Sequence, residues 1–331
     1  MNITVIGGGS WGLALSTVLN DNGHTVLVYD TSEKVVDKIN RLHISYQLNE
    51  DISPQIKATN HLEEAIHHSD VLLFVVPTKV VRMALQSVNK HLSSKKLFIN
   101  AAKGIEPTTF MRMSEVFYDE INPEYINGFV ALSGPSHAEE VIKKMTTLIT
   151  AASSLEKDAL FVQHLFHNQA YFRVYSSTDL KGVELGGALK NIFALASGLI
   201  AGKGMGDNAR AALITRGMVE MSKIYESYGA STLSLYGLTG VGDLIVTCTS
   251  KHSRNFRAGY QIGHGKDLEE TLNSMTMVVE GIRTCEAAYY YGQEHDLDLP
   301  IIDAIYHIIF LKNDPEKVYQ KLFERSRKKE T

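Results

Sequence analysis

Apolar positions in the first half of the chain fall into short runs separated by stretches of helical spacing. Residues 3–7 (ITVIG) predict a buried strand, 11–23 (WGLALSTVLNDNG) a helix ended by Gly23, and 25–30 (TVLVYD) a second strand. The runs at 71–77, 95–101, 129–134, 146–152 and 170–176 continue the strand series. Helical patterns at 62–68 (LEEAIHH), 80–92 (VVRMALQSVNKHL) and 155–167 (LEKDALFVQHLFH) lie between them. Strand–helix alternation of this kind predicts a mainly parallel sheet covered on both faces. After Ser177 the strand signals stop. Apolar residues then recur at helical spacing over 179–202, 207–228, 281–295, 300–311 and 315–325. The chain therefore divides into an α/β unit, residues 1–177, and an all-helical unit, residues 178–331. No Pro- or Gly-rich linker marks the junction, so the two are expected to pack tightly.

Composition narrows the class. A chain of 331 residues accommodates about two domains. Its 44% apolar and 21% charged residues are those of an ordinary globular protein, and a formal charge of −4 gives no basic field for nucleic acid. Cys248 and Cys285 form no CxxC pair, which fits a reducing cytoplasm. A strand begins almost at Met1, so no signal peptide is expected, and apolar runs such as 71–76 are too short to cross a bilayer. The basic tail ERSRKKET (324–331) reads as a solvated terminus. His67 and His68 lie in a charged helix, and no HExxH or Cys/His spacing is present, so no metal is expected.

Between the first strand and the first helix lies GGGSWG (7–12), with Gly7, Gly9 and Gly12 in the GxGxxG pattern and Ser10 and Trp11 among them. In this strand–turn–helix setting the glycines permit a tight turn, close approach of a pyrophosphate and helix–strand packing. The helix N-terminus supplies N–H groups and a positive dipole end. The implied fold is a Rossmann-like, doubly wound sheet, and the implied ligand a dinucleotide. Asp30 ends the second strand where an acid binding the ribose 2′-hydroxyl is expected, about 20 residues after the turn. Its carboxylate would repel a 2′-phosphate, and Thr31 adds no compensating charge, which favours NAD over NADP. Asp30 could also be a plain solvated strand end.

A bound nicotinamide requires a hydride partner and a proton donor. Lys190 and Asn191 interrupt the apolar run GALKNIFALASGLIAG (187–202). Lys190 either snorkels to water or is half-buried, with its ammonium form disfavoured and suited to proton transfer. Lys103, in AAKGIE (101–106), follows a strand at the sheet's carboxyl edge, where open α/β sheets bind ligands. Asp243 lies in a glycine-rich stretch read as a turn. Ser253, Arg254 and Asn255 bring together a hydroxyl, a guanidinium and an amide, a set suited to phosphate or carboxylate; taken alone, the triplet reads first as a helix cap with a surface arginine. The aromatic stretches YYYG (289–292) and YHIIF (306–310) read as core.

These residues carry a family resemblance. GGGSWG (7–12), AAKGIE (101–106), LSGPSHAEEV (132–141), 184–217, GLTGVGDLIVTCTSKHSRNFRAG (237–259) and VVEGIRT (278–284) resemble, in order and over essentially the whole chain, the bacterial NAD(P)-dependent glycerol-3-phosphate dehydrogenases. The resemblance implies reversible reduction of dihydroxyacetone phosphate to sn-glycerol 3-phosphate, a precursor of membrane phospholipids, by a possible homodimer. It implies Lys190 as catalytic acid/base, and Asp243 is expected to orient and balance the two lysines. Lys103, Gly134, Ser136, Asp243, Ser253, Arg254 and Asn255 are implied substrate contacts. Gly7, Gly9, Ser10, Trp11, Gly12, Lys103, Ala138, Arg254, Val278 and Glu280 are implied cofactor contacts, with Asp30 and Thr31 beside them. Where members of the family often carry a basic residue after the second strand, this chain has Tyr29, Asp30 and Thr31, so NADH is expected to serve at least as well as NADPH. Two alternatives stand beside this reading. One is another two-domain dehydrogenase acting on a hydroxy acid or hydroxyacyl substrate, though none of the thirteen histidines lies in a stretch that stands out as its acid. The other is a dinucleotide-binding module without turnover, which conflicts with the complete set of polar site residues.

Overall fold

Eight strands form one sheet in the computed structural model, which describes residues 1–106, 109–275 and 278–326. They are β1 (Asn2–Ile6), β2 (Thr25–Tyr29), β3 (Lys57–Thr59), β4 (Val71–Phe74), β5 (Lys96–Asn100), β6 (Ile126–Ser133), β7 (Thr147–Ala152) and β8 (Phe172–Ser177). Their order is β3-β2-β1-β4-β5-β6-β7-β8. Every neighbouring pair is parallel except β6 and β7. The β6–β7 connection contains only the single-turn helix Ala138–Val141. It carries no crossover helix to return the chain to the starting edge, so β7 runs back against β6. β3, three residues long, is the strand that the hydrophobic pattern does not announce.

β4 and β5 are buried along their whole length, as strands sandwiched between helical layers must be. On one face, helices Ser10–Asp21 and Glu156–Phe166 supply Leu13, Leu15, Val162 and Phe166 to the core. On the other, helices Thr78–Asn89 and Met113–Glu120 supply Val81, Leu85, Val116 and Phe117. The strand order reverses beside β1, and the GGGSWG turn sits at its carboxyl end. This is the crevice in which such sheets bind ligands.

Beyond Ser177 the described residues form helices and turns only. The organising element is the helix Leu180–Gly202, capped by the Asp179 carboxylate, which accepts from the Gly182 N–H at 3.1 Å. By length and composition it could cross a membrane, contrary to the expectation that no apolar run reaches that size; 83% of its most apolar window is buried inside the protein. Helices Gly206–Ser227, Asp243–Thr249, Arg254–Gly263 and Glu280–Glu294 pack around it. The crossing with Arg254–Gly263 is very close. A Cβ on Gly198 would lie 2.0 Å from the Phe256 carbonyl oxygen, and one on Gly259 would lie 1.9 Å from that of Leu195. Asp243 is the first residue of a helix, not part of a turn. The glycine-rich segment before it, Leu238–Gly242, already coils as a π-type turn. The expected solvated tail falls partly outside the described residues, at 327–331.

The two units interlock. Ile105 and Phe110, from the loop after β5, pack with the core of the helical unit, while Leu180 and Val183 of its central helix pack with the sheet's core. Buried Arg112 and the Ser114 backbone N–H and hydroxyl all bond the Glu184 carboxylate of the central helix, at 2.6–2.7 Å.

Candidate active site

Lys190 lies at the middle of helix Leu180–Gly202, which is buried on nearly all sides. The residue is 7% exposed and does not snorkel. Its Nζ donates to Asp243 Oδ1 at 2.5 Å and to Thr247 Oγ1 at 2.8 Å. The other carboxylate oxygen, Asp243 Oδ2, accepts from Lys103 Nζ at 2.9 Å. Asp243 is 1% exposed, and it joins two lysines brought from opposite units. Burial pulls the Lys190 ammonium down to about 8, with the Lys103 charge acting the same way and Asp243 opposing. Burial alone would raise the Asp243 carboxyl, but the two ammonium groups hold it below its ordinary value.

Lys103 follows β5 and also donates to the Gly134 carbonyl at 2.7 Å and to Ser136 Oγ at 3.2 Å. The loop after β6 is thereby fastened to the loop after β5. Asn191 serves both the site and its own helix. Its amide donates to the Lys103 carbonyl at 3.2 Å and the Gly187 carbonyl at 3.3 Å, and its oxygen accepts from Asn255 Nδ2 at 2.8 Å. Asn255 Oδ1 in turn accepts from the Gly281 N–H at 2.8 Å. Ser253 is the N-cap of helix Arg254–Gly263, accepting from the Phe256 N–H at 3.2 Å. The capping alternative is realised for Ser253, but Arg254 is not a surface residue. Burial draws its guanidinium below its ordinary value, and its Nη1 donates to the Val278 carbonyl at 3.4 Å. Lys103 and Lys190 against the Asp243 carboxylate leave that centre with one more cation than anion, while Arg254 has Glu280 and Glu139 near it.

At the glycine turn Gly7 has φ +115°, and a Cβ on Gly12 would lie 1.9 Å from the Gly7 carbonyl oxygen. A Cβ on Gly9 would meet nothing within 4 Å. Ser10 Oγ and Trp11 Nε1 are buried with no hydrogen-bond partner among the described residues. Unsatisfied donors at a helix N-terminus, in front of an open glycine, fit a pyrophosphate. Asp30 is more than a strand end: its carboxylate accepts from the Gly8 N–H at 2.8 Å and the Ser32 N–H at 2.9 Å, tying β2 to the turn, while Thr31 stands exposed beside it. When bound, a nicotinamide dinucleotide supplies hydride chemistry here. Ala138 is buried in the core beneath the sheet's first helix. Glu280 bonds the N–H of Thr78 at 3.1 Å and also its hydroxyl, so it closes one wall of the cleft against the other unit.

Three participants escape a reading of the sequence. Thr247 lies one helical turn after Asp243, a spacing that could have revealed it. Thr78 becomes the partner of Glu280 only through the fold. His137, at the head of helix Ala138–Val141, has a buried Nε2 with no partner among the described residues, although no histidine stands out in the sequence.

Comparison with known proteins agrees with this geometry. The family described as NAD-dependent glycerol-3-phosphate dehydrogenase N-terminus matches residues 2–159, and its C-terminus counterpart matches 179–320. The chain is similar to the glycerol-3-phosphate dehydrogenase [NAD(P)+] of Staphylococcus saprophyticus, with 47% identity over 99% of both chains. That of Staphylococcus carnosus is 46% identical over the same shares. The crystal structure of glycerol-3-phosphate dehydrogenase from Coxiella burnetii superposes with a TM-score of 0.92 at 32% identity, covering 98% of this chain and 99% of that one. With two matched halves, full-length relatives and a paired-lysine centre beside a dinucleotide turn, the chain belongs to the NAD-dependent glycerol-3-phosphate dehydrogenase family.

Proposed function

We propose that the Lys190–Asp243–Lys103 centre carries the reversible, NAD(P)H-dependent reduction of dihydroxyacetone phosphate to sn-glycerol 3-phosphate, supplying glycerophospholipid synthesis. The observation that carries the assignment of roles is Lys190 itself, an ammonium buried to about 8 and oriented by one carboxylate oxygen. Arg254 and the N-terminus of helix Arg254–Gly263 hold the substrate phosphate, with Ser253 and Asn255 shaping that end. Gly134 and Ser136 line the opposite loop. Anchoring the phosphate places the carbonyl within reach of Lys190. In reduction, Lys190 passes its proton to the substrate oxygen as the carbonyl carbon gains hydride. Lys103 stabilises the negative charge developing on that oxygen. In oxidation, the neutral Lys190 amine takes the hydroxyl proton.

The turn residues Gly7 to Gly12, with Asp30, Thr31, Ala138, Val278 and Glu280, hold the dinucleotide. Asp30 faces the ribose end with a negative charge and no basic neighbour, so NADH serves at least as well as NADPH. The functional division of the chain falls at about residue 177, between cofactor and substrate units. The buried, unpaired thiols of Cys248 and Cys285 suit the reducing cytoplasm. The enzyme pairs as a homodimer, which sedimentation velocity checks.

Oxidation of NADH and of NADPH by purified protein with dihydroxyacetone phosphate tests the reading, beside Lys190→Ala. The wild type turns over, NADH gives a kcat/KM at least equal to that of NADPH, and the variant loses at least ~10²-fold. A strong NADPH preference overturns the role of Asp30, and an undiminished variant overturns that of Lys190.

A further inference from the structure

His137 stands where the two units meet. It directly follows Ser136, whose hydroxyl accepts from Lys103 at 3.2 Å. Its ring centroid lies 5.9 Å from that of His252, the residue before Ser253 and Arg254. The His137–His252 contact therefore joins the loop after β6 to the loop that opens the phosphate-binding helix. His137 is the N-cap residue of helix Ala138–Val141, yet its side chain makes no capping bond. Instead Nε2 is buried with no hydrogen-bond partner among the described residues. A buried ring nitrogen left unsatisfied is costly unless something completes it.

We propose that His137 is a further substrate-binding residue, which closes the phosphate end of the site from the sheet side and takes up a proton when the phosphorylated substrate binds. The proposal rests on the assignment of that end to phosphate made above. The titratable and charged groups around the ring are Glu139 on its own segment, Lys103 after β5, Lys190 on the central helix, Asp243 on the next helix, and His252 across the cleft. Burial holds the imidazole below its ordinary value; Lys190 and Lys103 act in the same direction, and Glu139 and Asp243 oppose them. The free enzyme thus favours the neutral ring at His137. A phosphate dianion reverses the local field and favours imidazolium, so one proton passes from solvent to the ring on binding and returns on release. Affinity is then lost as pH rises through the value His137 has in the complex.

Three proteins test this: wild type, His137→Phe, which fills the ring's space without a nitrogen, and His137→Gln, which keeps a donor that cannot titrate. Glycerol 3-phosphate binding is measured by calorimetry in two buffers of different ionisation heat, and KM for dihydroxyacetone phosphate is followed from pH 6 to 9 at saturating NADH. Wild type takes up a proton that neither variant does. His137→Phe raises KM for dihydroxyacetone phosphate by roughly tenfold, as for loss of one charge-assisted hydrogen bond. It leaves KM for NADH unchanged and flattens the rise of KM with pH. The substrate's own phosphate titrates near ~6 in all three proteins and cancels in the comparison. His137→Gln recovers part of the affinity without the pH dependence. Equal proton uptake in wild type and His137→Phe overturns the proposal, as does an effect on KM for NADH alone, which would place the ring on the cofactor. A wild type that neither binds nor turns over the phosphate esters overturns the phosphate assignment beneath it. Wild-type turnover with an unaltered His137→Phe overturns the role of His137 alone.

Discussion

In the proposed mechanism Lys190 works because its neighbours set the pH at which it gives up its proton. Reduction needs the ammonium, so its kcat/KM is high below about 8 and falls as pH rises through that value. Oxidation needs the free amine and rises through the same range. Asp243 favours the ammonium, so Asp243→Asn lowers the Lys190 pKa and moves the alkaline limb of reduction to lower pH. Paired pH–rate profiles in both directions check this; a limb displaced to higher pH contradicts the assignment. The sequence made Lys190 conspicuous, because a lone ammonium in an apolar run demands an explanation. The expected pairing of Asp243 with the lysines holds, but its geometry was not visible, because an arrangement of one carboxylate oxygen to each lysine, with Lys103 140 positions away, exists only once two units have packed. Nor did the sequence show that Arg254, beside the Ser253 cap, would turn inward and donate to the Val278 carbonyl instead of lying on the surface.

At the scale of elements, the site depends on two helices that almost touch. Gly198→Ala pushes a methyl group into the Phe256 carbonyl, and backbone cannot swing aside as a long side chain can. The expected loss is ~1–3 kcal/mol, as for overpacking a filled core. It is read as a lower denaturant midpoint with an unchanged slope. Activity falls with it, because Lys190 stands about two turns away on the same helix and Asn255 one turn from Gly259 on the other. Strong periodicity made the long helices and most strands legible. β3 was not, since three residues cannot establish an alternation. Asp243 reads as part of a turn in the sequence because Gly237, Gly240 and Gly242 mimic turn chemistry. Their real use includes close packing: a Cβ on Gly240 would lie 2.1 Å from the Leu235 carbonyl oxygen.

For the whole molecule, stability and function share the seam between units. Glu184→Ala takes from the buried Arg112 guanidinium one of its two carboxylate partners, leaving Glu115 at 2.7 Å, and is expected to cost ~1–3 kcal/mol. Calorimetric melting checks this: a single transition at markedly lower temperature is expected, and an unchanged Tm contradicts it. Alternation of element types and the missing linker made the two units and their tight packing legible. Their exchange of core residues was not, because Ile105, Phe110, Leu180 and Val183 each match the pattern of their own unit. That exchange decides how the molecule can be recombined. A chimera built to import another relative's cofactor preference cannot be cut simply at residue 177. The loop 101–112 brings Lys103, Ile105 and Arg112 to the helical half, so a working crossover must transfer that loop together with the helices it serves.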